Sequence, residues 1–475
     1  MKLRSFIRRL LKDERGQMLP MMALLLVGMA GTAAMSIDLG RAFVSYRTLQ
    51  ASTNAAALAG AQSLPNSTAA TAAATYSAGT GDLNATANLA NVTMVSGYPK
   101  LLCLTTLSNM GMSCVAPANA NAIQVKQQTT VPMLFARIFG KTSLTLTATS
   151  TASMRGSGLT PYNVAIIVDT TASMSDTDSD SQCSTTRLAC SLAGVQTFLH
   201  QLAPCLSDET TCGAAVSGVV ANPVDQVSLF TFPNMTVGTV YKEYDCSTSN
   251  PTIDPYTFPS STGSSYTPST DTYEVVNFAS DYRTSDTAST LNPNSDIVMA
   301  VGGKSGCSGM ADPGGEGTYY AGAIYAAEAA LNAEQVANPG SQNVLILISD
   351  GDASASSSAM AGASTTSGTY PSTKQQCHQA INAAAAAAAA GTKVYAVAYG
   401  AEASGCSTDT SPSITPCQTM EGIASSPQYF FSDYTQSGTT GSCISASQPT
   451  SNLNQIFTDI AGDLTVARLI PNGTT

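Results

Sequence analysis

Asp169, Thr171 and Ser173 stand at i, i+2 and i+4 directly after the apolar run Val164 to Val168. A loop leaving a strand can turn three such side chains toward one point, which concentrates oxygen donors there. Hard cations such as Mg²⁺ or Ca²⁺ take oxygen ligands. A second apolar run, Val344 to Ile348, leads into Asp350-Gly351-Asp352. Between the two, Gly314-Gly315-Glu316-Gly317-Thr318 runs into a helical stretch, Tyr319 to Asn332, so Thr318 can add one more hydroxyl from a helix start. The chemistry implied is coordination of a divalent cation by groups brought from separate stretches of chain.

The elements that must position these residues are legible around them. Val-Ala-Ile-Ile-Val and Val-Leu-Ile-Leu-Ile lack polar alternation, as strands covered on both faces of a parallel sheet do. In such sheets ligands gather beyond the strand carboxyl ends. From Pro161 the pattern alternates: strand 164–168, helix 186–202, strand 227–232, strand 237–241, helix 319–332, strand 344–348. Helix 373–390, strand 393–399, a short strand at 429–431 and helix 452–468 follow. The fold expected is α/β, a doubly wound and mostly parallel sheet, over residues 161–475. Surplus length concentrates in 246–307, 355–372 and 404–443, Ser/Thr/Pro/Tyr-rich loops on the side of the expected metal face that suit partner recognition.

Other chemistries find little support. His200 and His378 are the only histidines, which disfavours a histidine-based triad or a histidine-ligated metal. Cys377 beside His378 suggests a thiol nucleophile, but a bridged cysteine is the better reading. No Gly-rich phosphate loop with a following Lys-Ser/Thr is present, so no enzymatic activity is expected. Removing the +4 of residues 1–15 from the chain's −11 leaves −15 for the remainder, a surface unsuited to nucleic acid.

The amino terminus addresses the chain to a membrane. Met18 to Ile37 is twenty residues without a charge, about 30 Å as a helix, enough to cross a hydrocarbon core. Lys2, Arg4, Arg8, Arg9, Lys12 and Arg15 precede it and should stay cytoplasmic, which leaves everything beyond Asp38 extracytoplasmic. The competing reading is a cleaved signal peptide with its site near Ala30 to Ala34. Against it, Leu39, Ala42, Phe43, Tyr46, Leu49, Thr53, Ala57 and Gly60 continue at three- and four-residue steps, as one long helix would. All twelve cysteines lie beyond the span without zinc-type spacing, which reads as disulfides in an oxidising compartment. Cys103 with Cys114, Cys183 with Cys190 and Cys205 with Cys212 are candidate local pairs. The organisation expected is a basic leader (1–15), a transmembrane and amphipathic helix (16–62), a small-residue stretch and β-rich unit (63–154), a linker (155–160) and the α/β domain (161–475).

Two resemblances follow from these residues. The D-x-T-x-S of Asp169 to Ser173, the later Gly-x-Gly-Thr ending at Thr318 and the strand-terminal Asp350-Gly351 resemble the metal-ion-dependent adhesion site of von Willebrand factor type A domains. That resemblance implies Asp169, Thr171, Ser173, Thr318 and Asp350 as the metal set, Mg²⁺ (or Ca²⁺/Mn²⁺) as the ion, and an open coordination position filled by an acidic group of a protein partner. The family usually has serine and glycine where this chain has Thr171 and Ala172; threonine keeps the ligand oxygen. Arg15-Gly16, Pro20, Ile37 to Arg41, Leu49-Gln50-Ala51 and Ala55 to Ala61 resemble the amino-terminal segment of TadE/TadG-like proteins of tight-adherence (Flp-type) pilus assembly. Ile123 to Pro132, Phe135 to Gly140 and Leu144 to Ala152 resemble that family's β segment. Together they imply a single-pass inner-membrane protein with its α/β domain outside the cytoplasm, working with protein partners of the pilus system. The alternative is a structural pilus-system protein that acts through its amino-terminal helix, with the α/β domain a metal-free spacer or plug.

Overall fold

The computed structural model describes residues 18–64, 68–76, 89, 92–104, 114, 116–117, 120–154, 161–180, 183–206, 209–236, 256–257, 265–266, 271–312, 317–357, 360, 363–401, 404–435, 441–464, 467–470 and 472. The basic leader, the linker 155–160, residues 314–316, the strand expected at 237–241 and Cys246 lie outside them. The described residues form two compact units, one from 18–104, 116–154 and 467–472, the other from 161–464 together with Cys114.

In the first unit, helix α1 (Met18–Gln62) runs 45 residues without a break. Pro20 sits in its first turn, where the missing amide costs nothing. The helix is apolar enough and long enough to cross a membrane, and its most apolar stretch is wholly uncovered. Its second half changes character: Leu49, Thr53, Ala56, Ala57 and Ala61 are buried. Gly60 is required there, because a Cβ would stand 2.6 Å from Ile123 Cδ1 and 2.9 Å from Ala73 Cβ of the short helix α2 (Ala69–Thr75). The stripe read from the sequence is therefore divided. Leu49 to Gly60 faces the chain's own sheet, and Leu39, Phe43 and Tyr46 stay exposed.

That sheet is antiparallel and comprises β1 (Thr93–Met94), β2 (Lys100–Leu102), β3 (Ala122–Pro132), β4 (Ser143–Ser153) and, near the carboxyl terminus, a strand at Arg468–Ile470. β3 and β4 form a hairpin in register from Ala122 with Ser153 to Pro132 with Ser143. The helix is locked to it by polar groups: the Ser52 and Thr53 hydroxyls both donate to Gln127 Oε1 at 2.9 Å. The late strand pairs Arg468 with Ser153. The expected helix 452–468 accordingly ends earlier, and the last described residues join the first unit, which shortens the expected 161–475 domain at its carboxyl end.

The second unit is built on β5 (Tyr162–Asp169), β6 (Gln226–Thr236), β9 (Asp271–Ala279), β10 (Gln342–Ser349), β11 (Lys393–Tyr399) and β12 (Phe430–Asp433), in the order β12-β11-β10-β5-β6-β9. A separate ladder pairs β7 (Tyr256–Thr257) with β8 (Ser265–Tyr266). All neighbours in the six-stranded sheet are parallel except β9, which runs antiparallel on the edge. β9 lies in the 246–307 insertion, expected as loop, and there it caps the sheet.

Residue parity along the strands sorts the core into two faces. Val164, Ile166, Val168, Val344, Ile346 and Ile348 pack under α3 (Arg187–Gln201) and α8 (Leu453–Leu464). Ala165, Ile167, Leu345 and Leu347 pack under α5 (Tyr320–Ala337) and α6 (Gln376–Ala389), with Met420 and Ile423 of α7 (Pro416–Ile423) joining this face. The five-residue α4 (Asp296–Ala300) completes the first face. Near-continuous apolar strands are what two covered faces demand. Gly194 on α3 admits the Phe457 ring of α8, since a Cβ there would meet Phe457 Cδ2 at 2.4 Å.

Candidate metal centre

β5 and β10 run in parallel register with Val168 opposite Ile348, so Asp169 and Ser349 emerge side by side. The sheet order turns at this point: α3, which follows β5, lies on one face, and α6, which follows β10, lies on the other. Among the described residues no crossover covers the carboxyl ends of these two strands, and such a switch point is where α/β sheets hold ligands.

The loop after β5 is wound onto its own aspartate. Thr171 donates to Asp169 Oδ1 twice, from its backbone N–H at 2.8 Å and from Oγ1 at 2.6 Å. Thr170 anchors the same loop sideways, its hydroxyl 2.8 Å from that of Thr231 on β6. A 3₁₀ turn, Ala172–Ser175, then presents Ser173, whose Oγ lies 3.4 Å from Thr171 Oγ1. Ala172 is exposed, so its methyl group has no bearing on the loop's closure. Thr318 arrives from the segment before α5, with Oγ1 3.3 Å from Thr171 Oγ1. Its carbonyl accepts from Ser354 and Ala355 N–H at 3.1 and 3.2 Å, which ties it to the loop after β10. Gly317 is obligatory at that crossing, since a Cβ would be 2.6 Å from Ala355 Cα.

Asp350 completes the set, close enough to Ser173 and Asp169 for the hydroxyl to favour its charged form and for the two carboxylates to repel. Thr171 Oγ1 thus stands at the centre, in reach of Asp169, Ser173 and Thr318, with Asp350 beside Asp169 and Ser173. All five residues singled out from the sequence are brought together.

The electrostatics of the cluster are unbalanced. Burial, then the neighbouring Asp350 charge, push the Asp169 carboxyl above its ordinary range, and the bonds from Ser349 and Thr171 offset only part of this. Burial likewise raises Asp350; the Ser173 bond and the Arg187 charge oppose it. Two buried carboxylates that resist simultaneous ionisation call for a positive charge. Two carboxylates and three hydroxyls, without nitrogen or sulfur, are a donor set that fits a hard divalent cation.

Sequence reading missed the floor of this site. Ser349 donates to Asp169 Oδ2 at 2.6 Å, and its oxygen is 3.0 Å from the hydroxyl of buried Tyr320. A serine after an apolar run in a serine-rich chain carries no signal of its own. The loop after β10 is gripped by the 404–443 insertion: Asp352 Oδ1 accepts from Cys406 N–H at 2.5 Å. Gly351 has φ +89° and lies so close to Pro416 that a Cβ would meet its carbonyl oxygen at 2.5 Å. Cys377 is bonded to Cys406, so no thiol stands beside His378, whose Nδ1 is paired with Asp409 Oδ1 at 2.5 Å. Cys183–Cys190, Cys205–Cys212 and Cys417–Cys443 are also bridged, and Cys103, Cys114 and Cys307 are each disulfide-bonded.

Comparison with known proteins divides the chain in the same way. Residues 16–63 match the family described as putative Flp pilus-assembly TadE/G-like, and residues 59–152 match the putative Tad-like Flp pilus-assembly family. No curated protein matches. Among solved structures, the pilus adhesin SpaC from Lactobacillus rhamnosus GG in its open conformation aligns over 74% of this chain and 34% of its own, at 13% identity and a TM-score of 0.37. Proximal thread matrix protein 1 from the mussel byssus aligns over 66% of this chain and 48% of its own, at 13% identity and a TM-score of 0.30. This chain therefore spans about a third of the adhesin's length, and scores of this size establish no common fold. Over residues 16–152 the chain is similar to Tad-like proteins assigned to Flp pilus assembly.

Proposed function

We propose that this chain is a membrane-anchored, extracytoplasmic component of a tight-adherence (Flp-type) pilus assembly system, and that its α/β unit binds a protein partner through a divalent cation. The Tad-like segment supports the pilus assignment. The observation that carries the binding role is the meeting of Asp169, Thr171, Ser173, Thr318 and Asp350 at the switch point between β5 and β10. This is the arrangement expected of a von Willebrand factor type A-like site. Thr171, Ser173 and Thr318 supply neutral oxygens, and Asp169 and Asp350 supply the charge that holds Mg²⁺, Ca²⁺ or Mn²⁺. The ion, once bound, offers a Lewis-acidic position to a carboxylate of the partner. The 404–443 insertion, which grips the Asp350 loop, is placed to contribute to that partner's recognition.

Thermal melting of the full-length protein in detergent, with and without MgCl₂, tests the cation reading. Wild type should melt higher with the ion. Thr318→Val, which removes one oxygen at nearly constant volume, should lose most of that increment while keeping the metal-free melting temperature. A wild type indifferent to Mg²⁺, Ca²⁺ and Mn²⁺ would leave the structural reading, a metal-free spacer carried by the helix. That second reading has its own support in Leu39, Phe43 and Val44, which remain exposed on α1 beyond the charge-free run.

A further inference from the structure

The tip of the β3–β4 hairpin is apolar where a water-facing loop would be polar. Ile138 is 77% exposed and Phe139 is 88% exposed, with Leu134, Phe135 and Leu144 partly open beside them. Phe135, Ile138, Phe139 and Leu144 and the α1 stretch from Ala30 to Leu39 line one apolar groove of about 760 Å³, walled on the helix side by Ala30, Gly31, Ala34 and Met35. The charge-free run of α1 ends at Ile37. A tip lying beside Ala30 therefore reaches about 12 Å along the helix from Asp38 into the level of that run.

The backbone of the tip is equipped for such a place. Asp38 Oδ1 accepts from Leu134 N–H at 2.8 Å, and Oδ2 accepts from Phe135 and Ala136 N–H at 3.0 and 2.7 Å. Met133 donates to Thr142, Ile138 to Phe135, Gly140 to Arg137 and Lys141 to Ala136. Internal satisfaction of amides is what a lipid environment requires and water does not. Val131 and Met133 pack with Ala42, fixing the hairpin to the helix. Exposed Arg137 and Lys141 flank the apolar side chains. Long basic side chains at that position extend their charges to lipid phosphates while their stems cover apolar surface.

Resting on the reading that α1 spans a membrane, we infer that the hairpin tip, Leu134 to Leu144, enters the outer layer of the same bilayer and contacts phospholipid acyl chains beside the helix. A single docked helix would cover only one side of α1, whereas the apolar residues of its first half are uncovered all round. The surface of the tip is continuous with that uncovered circumference, so lipid is the occupant that serves both.

The chain contains no tryptophan, so one introduced residue is a clean probe. Full-length Phe139→Trp is reconstituted into phosphatidylcholine/phosphatidylglycerol vesicles with and without brominated acyl chains, beside Leu26→Trp on the helix and Val216→Trp on the second unit. Phe139→Trp is expected to emit to the blue of Val216→Trp and to lose intensity in brominated vesicles, as Leu26→Trp does. Quenching of Leu26→Trp without quenching of Phe139→Trp overturns this inference alone. Loss of quenching at both overturns the spanning helix and this inference with it. Blue-shifted but unquenched Phe139→Trp emission means that protein covers the tip, and also overturns it. Ile138→Trp repeats the measurement one residue away, so a local disturbance by the probe cannot decide the result.

Discussion

The two units differ in how much large apolar surface they leave exposed. In the α/β unit, apolar side chains fill both faces of the sheet and carboxylates gather at one end of it. In the first unit, the helix is fastened to its hairpin by Ser52, Thr53, Gln127 and Asp38 beside buried Leu49 and Ile123, while the large apolar residues of the first half of α1 and of the hairpin tip stay exposed. Among the described residues, Leu206, Val216, Val336 and Ile444 are the only exposed large apolar side chains outside that first unit. Burial of apolar surface drives folding only against water. The first half of α1, with leucine, methionine and valine exposed along it, is apolar where a surface facing water would be polar, and it is long enough to cross a membrane.

The contrast can be broken most easily where apolar packing is densest. Phe457 fills the notch above Gly194 and meets Phe198 edge-on at 6.0 Å, so Phe457→Ala should cost about 3–5 kcal/mol in chemical denaturation. Phe43→Ala, on the exposed face of α1, should cost nothing measurable in detergent; equal losses from the two changes would end the distinction. Next in size is the Cys377–Cys406 bridge, which closes a 29-residue separation beside the Asp350 loop. Replacing both cysteines by alanine should remove about 3 kcal/mol and loosen hydrogen exchange in residues 350–356.

A buried charge gives a smaller, pH-gated effect. Glu328, on α5, is buried and accepts from Asn332 Nδ2 at 2.9 Å, and burial pushes its carboxyl from 4.5 to about 7. Between those values the folded chain keeps a proton that the unfolded chain has released, so stability falls as pH rises through the window. Glu328→Gln cannot ionise and should therefore gain on wild type from pH 5 to pH 8, by on the order of 2–3 kcal/mol at the upper end. A constant difference across that range would show the carboxyl to be ionised throughout. Smallest is Gln127→Leu, which leaves two buried hydroxyls without their shared acceptor and should cost about 1–2 kcal/mol. An unchanged melt would mean that polar fastening of α1 contributes little.

How much could be read beforehand depended on how local the cause was. β5 and β10 are continuous β-branched and leucine runs whose character follows from double burial, and the Asp169 loop follows its strand directly, so both were visible in short windows. The identity of β9 was hidden, because Asp271 to Ala279 sits amid Ser/Thr/Pro-rich chain and earns its strand only by pairing with β6. The three-residue strand at Arg468–Ile470 was hidden for the same reason, with its partner more than 300 residues earlier. Ser349 and Asp38 carry roles assigned by geometry alone. One is a floor for Asp169 and the other a clamp on three amides, and neither residue type is unusual where it stands.

The pairing of Arg468 with Ser153 makes the α/β unit a cassette looped out of a hairpin. Its entry and exit strands are neighbours, so a turn of about five residues or fewer could replace it and leave the antiparallel sheet closed. A pull applied through the cassette would load those rungs from one end and peel them in succession.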